Sequence, residues 1–591
     1  KFDLSGQSKC YEGGILVGFR CLATGNDIFN ALITNHVAGT ADLYHAKEQY
    51  GESPNESQPA SGARYFIEGH INCLDAPGEW FYDKESGELY VWFHDSGSPT
   101  GRTIEGKNQN FALTLKNSEF LDFKGITLFG AAFKLDTTYD TTFEDCNFLY
   151  SSYLKKMLGI YQGGGVQDSY SAPFNHTLGG RNPANLTWRN CEFFGYEGIG
   201  LYIRTFGSNL VENCWFHNGQ FGRTLFGAVS DKKGSGTTLR RNTFNTLGLG
   251  NATKNGPHGL IEYNLAYNFM FEGDFSVYQI PMPTQPTTTV RYNWALNGAG
   301  RNGIRFDGDY ANTNCLVHHT VSMNNNRGFR LKGDQHRVYN ITALGNDPKS
   351  DINLAREKFY GYVHPDHKND DPLDLQYVTN SPLPGWPCAP GRRGNLPYHG
   401  NENSTVRNIA GDVIDNWPLQ PSDAVAVWHG NQIGKTLFDE LRDPLNWDFR
   451  PKAGSDLEDA GTNVTGFTEG FAGAAPDLGA YESGCTNYWI PGRIFPQASV
   501  PIPLDGTLTA RADTDLIWQP GMNALSHNVY FGTSSNSPAY QGNQLNNIFD
   551  PGALQTNQTY FWRIDSVKSS GTVTGEVWNF TASDPDNPVS P

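Results

Sequence analysis

The sequence predicts an all-β chain: a right-handed parallel β-helix, or solenoid, followed by a small β-sandwich. Three observations predict it. Of 591 residues, 18% are charged and 13% aromatic, and 66 are Gly. That composition suits short strands joined by tight turns, and it excludes a disordered or coiled-coil chain. A strand–Asn–turn unit recurs at Asn190, Asn213, Asn242, Asn264 and Asn293, at separations of 23, 29, 22 and 29 residues. Beyond residue 505 the pattern changes to alternating strands spaced about ten residues apart, as in a sandwich.

Residues 1–107 stand outside the repeat as amino-terminal strands and a β-rich insertion that caps the solenoid. Within them, Asp75 to Trp92 reads as two strands around a Lys-Glu-Ser-Gly turn. Residues 108–493 form the solenoid. Each copy of the unit is one coil, because single short strands bury their apolar side only by stacking on the next coil. Further copies fall at Asp145, Asn340 and Asn408; the steps of 45 to Asn190 and 47 from Asn293 each read as two coils. Asn stacked at one turn can bond along the stack and accept left-handed backbone angles. Cys146, Cys191 and Cys214 each follow the repeat residue, so they should stack in one column, as buried thiols or, in the alternative reading, with a disulfide between neighbouring coils. Residues 347–400, rich in Pro, Asp, His and Gly, form a loop excursion, and 494–504 form a Pro-rich linker. Residues 505–591 are the sandwich.

With 61 acidic residues against 44 basic, net charge is −17, which excludes nucleic-acid binding as the main role. No stretch approaches the roughly 18 apolar residues of a membrane span. A start at Lys1 reads as a processed, secreted form, and the expected location is extracellular. Sequons at Asn55, Asn175, Asn185, Asn251, Asn340, Asn403, Asn463, Asn557 and Asn579 permit glycosylation there.

The repeat resembles the pectate-lyase-like parallel β-helix superfamily, which includes polysaccharide lyases and glycoside hydrolases. The Asp75–Trp92 block is similar to the amino-terminal region of bacterial β-helix glycosidases. Tyr560-Phe-Trp-Arg-Ile-Asp-Ser-Val with Gly575-Glu-Val-Trp-Asn-Phe-Thr is similar to fibronectin type III-like modules. The resemblance implies the fold and a polysaccharide partner. It transfers no catalytic residue, since the paired Asp, Gly-His-Gly and Arg-Ile-Lys of polygalacturonases are absent.

Candidate site residues therefore come from alternation on the strands after the repeat turn. Phe271-Glu272-Gly-Asp274, Ile304-Arg305-Phe-Asp307-Gly-Asp309 and Phe329-Arg330-Leu-Lys332 align, with Leu201-Tyr202-Ile-Arg204 on an earlier coil. Their outward residues make two columns at about 4.8 Å per coil. One holds Tyr202, Glu272, Arg305 and Arg330; the other holds Arg204, Asp274, Asp307 and Lys332. Asp274, Asp307, Lys332 and Arg330 are the catalytic candidates. Glu272, Arg305, Asp309, Arg204, Tyr202, His318 and His336 are the substrate-binding ones. In a lyase, Lys332 or Arg330 takes a proton beside a neutralised uronate; in a glycosidase, two carboxylates act as acid and as base or nucleophile. Outward charges of alternating sign also make salt-bridge ladders with no chemistry. Trp215, Tyr278 and Trp294 offer rings for sugars. No run has zinc-site spacing, and no cofactor is certain; calcium on Asp307-Gly-Asp309 or Asp584-Pro-Asp586 is the one metal reading. The expected function is cleavage of an extracellular, acidic polysaccharide by β-elimination or hydrolysis. The alternative is a non-catalytic structural or adhesive glycoprotein, assembling head-to-tail through the solenoid ends or the carboxy-terminal module.

Overall fold

In the computed structural model the described residues are 9–584, apart from 21–26, 39–42, 47–63, 107–108, 110, 152–171, 175–183, 204, 206, 221–226, 232–235, 249, 257, 271–274, 281–287, 308–313, 334, 347–348, 356, 359–397, 400, 402–403, 418, 420 and 536. Among these, the chain is built almost wholly of strands. An amino-terminal antiparallel sheet of four strands runs over Ile15–Arg20, Asp27–His36, Leu43–Ala46 and Arg64–Glu68. The hairpin read from sequence follows: Trp80–Asp83 pairs with Glu88–Val91, turning at Gly87 with φ of 74°.

From Phe111 the chain winds into a parallel β-helix with three faces. The ladder face carries Thr187–Arg189, Leu210–Glu212, Thr238–Arg240, Leu260–Glu262 and Thr289–Arg291. After a corner, the docking face carries Glu192–Phe194, Trp215–Gly219, Thr243–Leu247, Leu265–Phe269 and Trp294–Leu296. Leu316–Met323, Arg337–Leu344 and Thr405–Gly411 run through the corner and serve both faces, so the two form one sheet of nineteen described strands. The front face is a separate eight-stranded sheet: Leu201–Tyr202, Gly227–Ser230, Asn251–Lys254, Ser276–Ile280, Asn302–Phe306, Arg327–Lys332, Ile352–Ala355 and Ile414–Asp415. Between the faces, stacked rings and aliphatic side chains fill the bore. Phe148, Phe193, Phe216 and Phe244, for example, stack at centroid steps of 4.7, 4.4 and 5.1 Å.

The corner corrects the reading of the repeat. Its left-handed residues are Asp145, Asn190, Asn213, Arg241, Tyr263, Tyr292, His319, Asn340 and Asn408, with φ between 45° and 58°. Asn242, Asn264 and Asn293 sit one residue later and point inward, fully buried, in the column begun by Cys146, Cys191 and Cys214. The repeated Asn thus belongs to two columns. Inside, Oδ1 of Asn264 and Asn293 accepts the backbone N–H of the preceding rung at 2.9 and 2.8 Å. The thiols instead donate to carbonyls, as Cys214 Sγ does to Glu212 at 3.3 Å. Burial pushes Cys315, in another column, up to about 12. Outside, Asn213 donates to Asn190 and Asn190 to Asp145, whereas the middle rungs form a stack. Arg241 lies 4.3 Å over Tyr263, which stacks on Tyr292 at 4.7 Å and that on His319 at 5.0 Å. Two coil counts change as well. Arg189 pairs directly with Glu144, so the 45-residue step is one coil with an insertion. Within the 347–400 excursion, Ile352–Ala355 is a front-face strand.

The solenoid's last strands lead to a strap that returns along the docking face. Gly479 N–H donates to Asn408 O, Ala480 N–H to Thr342 Oγ1, Gly492 N–H to Tyr263 O, and Ile494 N–H to Asn213 Oδ1. The sandwich therefore packs beside the middle coils, where Ile502 and Ile517 share a core with Leu265, Trp294 and Met323. It has a three-stranded sheet (Ser499–Ile502, Leu516–Gln519, Ile548–Phe549) and a sheet built on Thr507–Arg511, Val577–Ser583, Thr559–Lys568, Ser526–Gly532 and Ala539–Gln544. Trp518, Trp562 and Phe580 are fully buried between them.

Candidate functional site

On the front face Ile304 and Phe306 are fully buried in the bore, so Arg305 between them points outward. Pairing register carries that position along the sheet as Tyr202, Ser230, Lys254, Gln279, Arg305, Arg330, Asn353 and Asp415. Tyr202, Arg305 and Arg330 thus share a column, as read from sequence. Glu272 and Asp274 lie outside the described residues, and the residue that faces Arg305 is Gln279, on the strand Ser276–Ile280 opposite Asn302–Phe306. The alternating Phe-Glu-Gly-Asp-Phe run precedes that strand in sequence and alternates in the same way. Arg204 and Asp309 also lie outside the described residues.

Two residues beyond the column, Asp307 and Lys332 meet at 3.0 Å, and Arg305 reaches the same carboxylate at 2.7 Å. Gln279 Nε2 donates to Asp307 Oδ2 at 3.1 Å. Burial pushes the Asp307 carboxyl up, but Arg305, Lys332 and Arg330 outweigh it and hold the group below its ordinary range. Asp307 is therefore a fixed anion, unsuited to donating a proton near neutrality. Arg305 is only 6% exposed and acts on its surroundings through Asp307, whereas Arg330 and Lys332 are half-buried and face solvent. Lys254 and Gln279 are members that sequence reasoning missed. Their signal is the same alternation in Asn251-Ala-Thr-Lys254 and Ser276-Val-Tyr-Gln279-Ile.

The histidines are placed elsewhere. His318 is on the ladder face, its Nδ1 2.9 Å from that of His319 and its ring 5.0 Å from Phe467. Burial, with His319 and Arg291 beside it, lowers it to about 3. His336 is fully buried under the front face, accepting from Cys315 N–H at Nδ1 and set 3.0 Å from Lys332 O at Nε2; burial lowers it to about 4. Neither touches the outward column. Tyr278 is in the bore and Trp294 under the strap, where Trp294 Nε1 donates to Tyr481, so neither ring can meet a sugar. Among the described residues no group of three His, Cys, Asp or Glu side chains could hold a metal ion. Asp307 is already occupied by its cations, and Asp586 lies outside the described residues. Of the sequons, Asn251 and Asn340 are 1% and 2% exposed and bonded within the sheet, which closes them to a glycan in the folded coil.

The alternating charge ladder that competed with the groove reading exists, on a different face. Lys124, Glu144, Arg189, Glu212, Arg240, Glu262 and Arg291 are successive rungs of the ladder face. Glu262, its side chain 4% exposed, takes Arg240 at 2.5 Å and Arg291 at 2.6 Å.

Compared with known families, residues 176–347 match a model described as "right handed beta helix region". That span holds the coils bearing Lys254, Gln279, Arg305, Arg330 and Lys332. The solenoid is a right-handed β-helix. A search of curated proteins finds no match. No helix among the described residues is long and apolar enough to cross a membrane.

Proposed function

We propose that this protein is an extracellular, carbohydrate-active β-helix protein that grips an acidic polysaccharide along its front face. The observation that carries the reading is the direct pairing of Arg305 with Arg330 on adjacent rungs, with Lys332 beside them and Lys254 further along the column. Like charges at one register weaken a sheet, and a bound polyanion relieves that cost. Carboxylates repeated along a uronate chain are the matching ligand, with Arg330 forking one of them and Lys332 acting as a point charge. The sandwich, with Trp562 and Phe580 in its core, supports the fibronectin type III-like reading and would serve as a spacer.

The chemistry suited to this face is β-elimination. Neutralising the uronate carboxylate acidifies the proton on C5; a base removes it, C4=C5 forms, and the C4–O bond breaks with a proton delivered to the leaving oxygen. Hydrolysis fits less well, because Asp307 is held ionised and cannot serve as its acid. A second reading, binding without turnover, is favoured by one contact: Lys332 Nζ is engaged by Asp307 Oδ1 at 3.0 Å, which ties up the candidate base. Incubation with polygalacturonate, alginate and glucuronan, followed by ultraviolet absorbance of unsaturated uronates, tests both. The proposal expects absorbance that grows with time and is lost in Arg330→Ala and Lys332→Ala. Binding without absorbance selects the second reading. Failure to bind any of the three contradicts the front-face assignment.

A further inference from the structure

A cavity of about 510 Å³ opens where the docking face meets the sandwich. Its chemistry differs from that of the front face. The floor is a row of corner asparagines, Asn268, Asn297 and Asn324, each with φ between 53° and 56°. They belong to consecutive coils, so their amides recur at about 4.8 Å. Asn324 Nδ2 donates to Asn297 Oδ1 at 3.0 Å, and among the described residues Asn268 makes no side-chain hydrogen bond. Each amide offers a donor pair and an acceptor side by side, the set that reads neighbouring hydroxyls.

Two rings make the wall. Tyr267 and Trp447 meet edge to face at 5.7 Å. Trp447 holds φ of 73°, rare for a bulky residue, and its carbonyl accepts Tyr488 Oη at 2.6 Å. Asp505 stands at the rim, its Oδ1 fixed by Asn579 N–H at 2.8 Å. Among the described residues no Lys, Arg or His lines the cavity, so a phosphate or uronate would meet a carboxylate and no cation.

We propose that this cleft binds a neutral saccharide, one or two sugar residues of a glycan, with the C–H face against Tyr267 and Trp447 and the hydroxyls on the asparagine row. The volume lies within the usual range for small-ligand sites, and an inter-domain position is common for them. The site is separate from the front face and does not depend on the function proposed for it. Isothermal titration and tryptophan fluorescence with cellohexaose, laminarihexaose, mannohexaose and xylohexaose provide the test. Asn297→Gly with Asn324→Gly removes the amides while suiting the left-handed backbone, so the fold survives. The expected result is binding of at least one hexaose, weakened tenfold or more in that double variant and unchanged in Arg330→Ala. Binding by none of the four, or binding indifferent to loss of the amides, would overturn the proposal.

Discussion

The ladder face and the front face are two sides of one solenoid, with the same rung spacing and opposite uses of charge. On the ladder face cations and carboxylates alternate from Lys124 to Arg291, so that Arg189 and Arg240 each lie between two carboxylates and Glu262 takes an arginine from each side. On the front face Arg305 lies directly against Arg330, and the described carboxylate nearest to both, Asp307, is shared with Lys332. Alternation satisfies itself within the sheet. Repetition of one sign at one register builds a positive field along the front face, the field that the proposed polyanion would meet. On the function proposed above, the difference separates charge that ties coil to coil from charge that also meets a ligand.

The comparison breaks most visibly at Glu262. Glu262→Gln leaves Arg240 and Arg291 without the anion between them, and a loss of about 3–5 kcal/mol in denaturant unfolding is expected, with polyuronate binding unchanged. At the corner beside that ladder, Asn264→Ala strands the amides of its neighbours and should cost about 2–4 kcal/mol. Cys214→Asn, which lengthens the same column, should cost under about 1 kcal/mol by the same measurement.

Asp307→Asn sharpens the front-face side. Because the Asp307 pKa is depressed in the folded protein, its contribution is present above the ordinary carboxylate range and lost as pH falls through the lowered value. Unfolding curves of the two proteins should therefore differ by about 1–3 kcal/mol at neutral pH and converge in acid. Smallest of all, Arg330→Gln should change stability by less than about 1 kcal/mol, the range for a charge that faces solvent. A loss as large as that of Glu262→Gln would place Arg330 among the structural charges.

Much of this was legible in the sequence because a coil must bury the same positions each time. The outward–inward alternation in Ile304-Arg305-Phe306 and Phe329-Arg330-Leu331 fixed the shared column of Arg305 and Arg330. The thiol column was readable from Cys146, Cys191 and Cys214 alone. Register was not readable where coil length varies: the run around Glu272 and the run around Gln279 alternate alike, and nothing local marks Gln279 as the residue that faces Arg305. Asn242, Asn264 and Asn293 looked equivalent to Asn190 because one residue of offset at a tight corner moves a side chain from outside to inside. The strap, the inter-domain cleft and the burial of Trp294 and His336 depend on contacts between segments distant in sequence, which no periodicity reports.

The most direct measurement compares polygalacturonate binding by Arg330→Ala and Arg240→Ala in low salt and again near physiological ionic strength. The account predicts that Arg330→Ala loses most of the binding and most of its salt dependence, while Arg240→Ala, on the ladder face, binds as the unaltered protein does. Equal losses in both variants, or undiminished binding in Arg330→Ala, would contradict the distinction between the two faces.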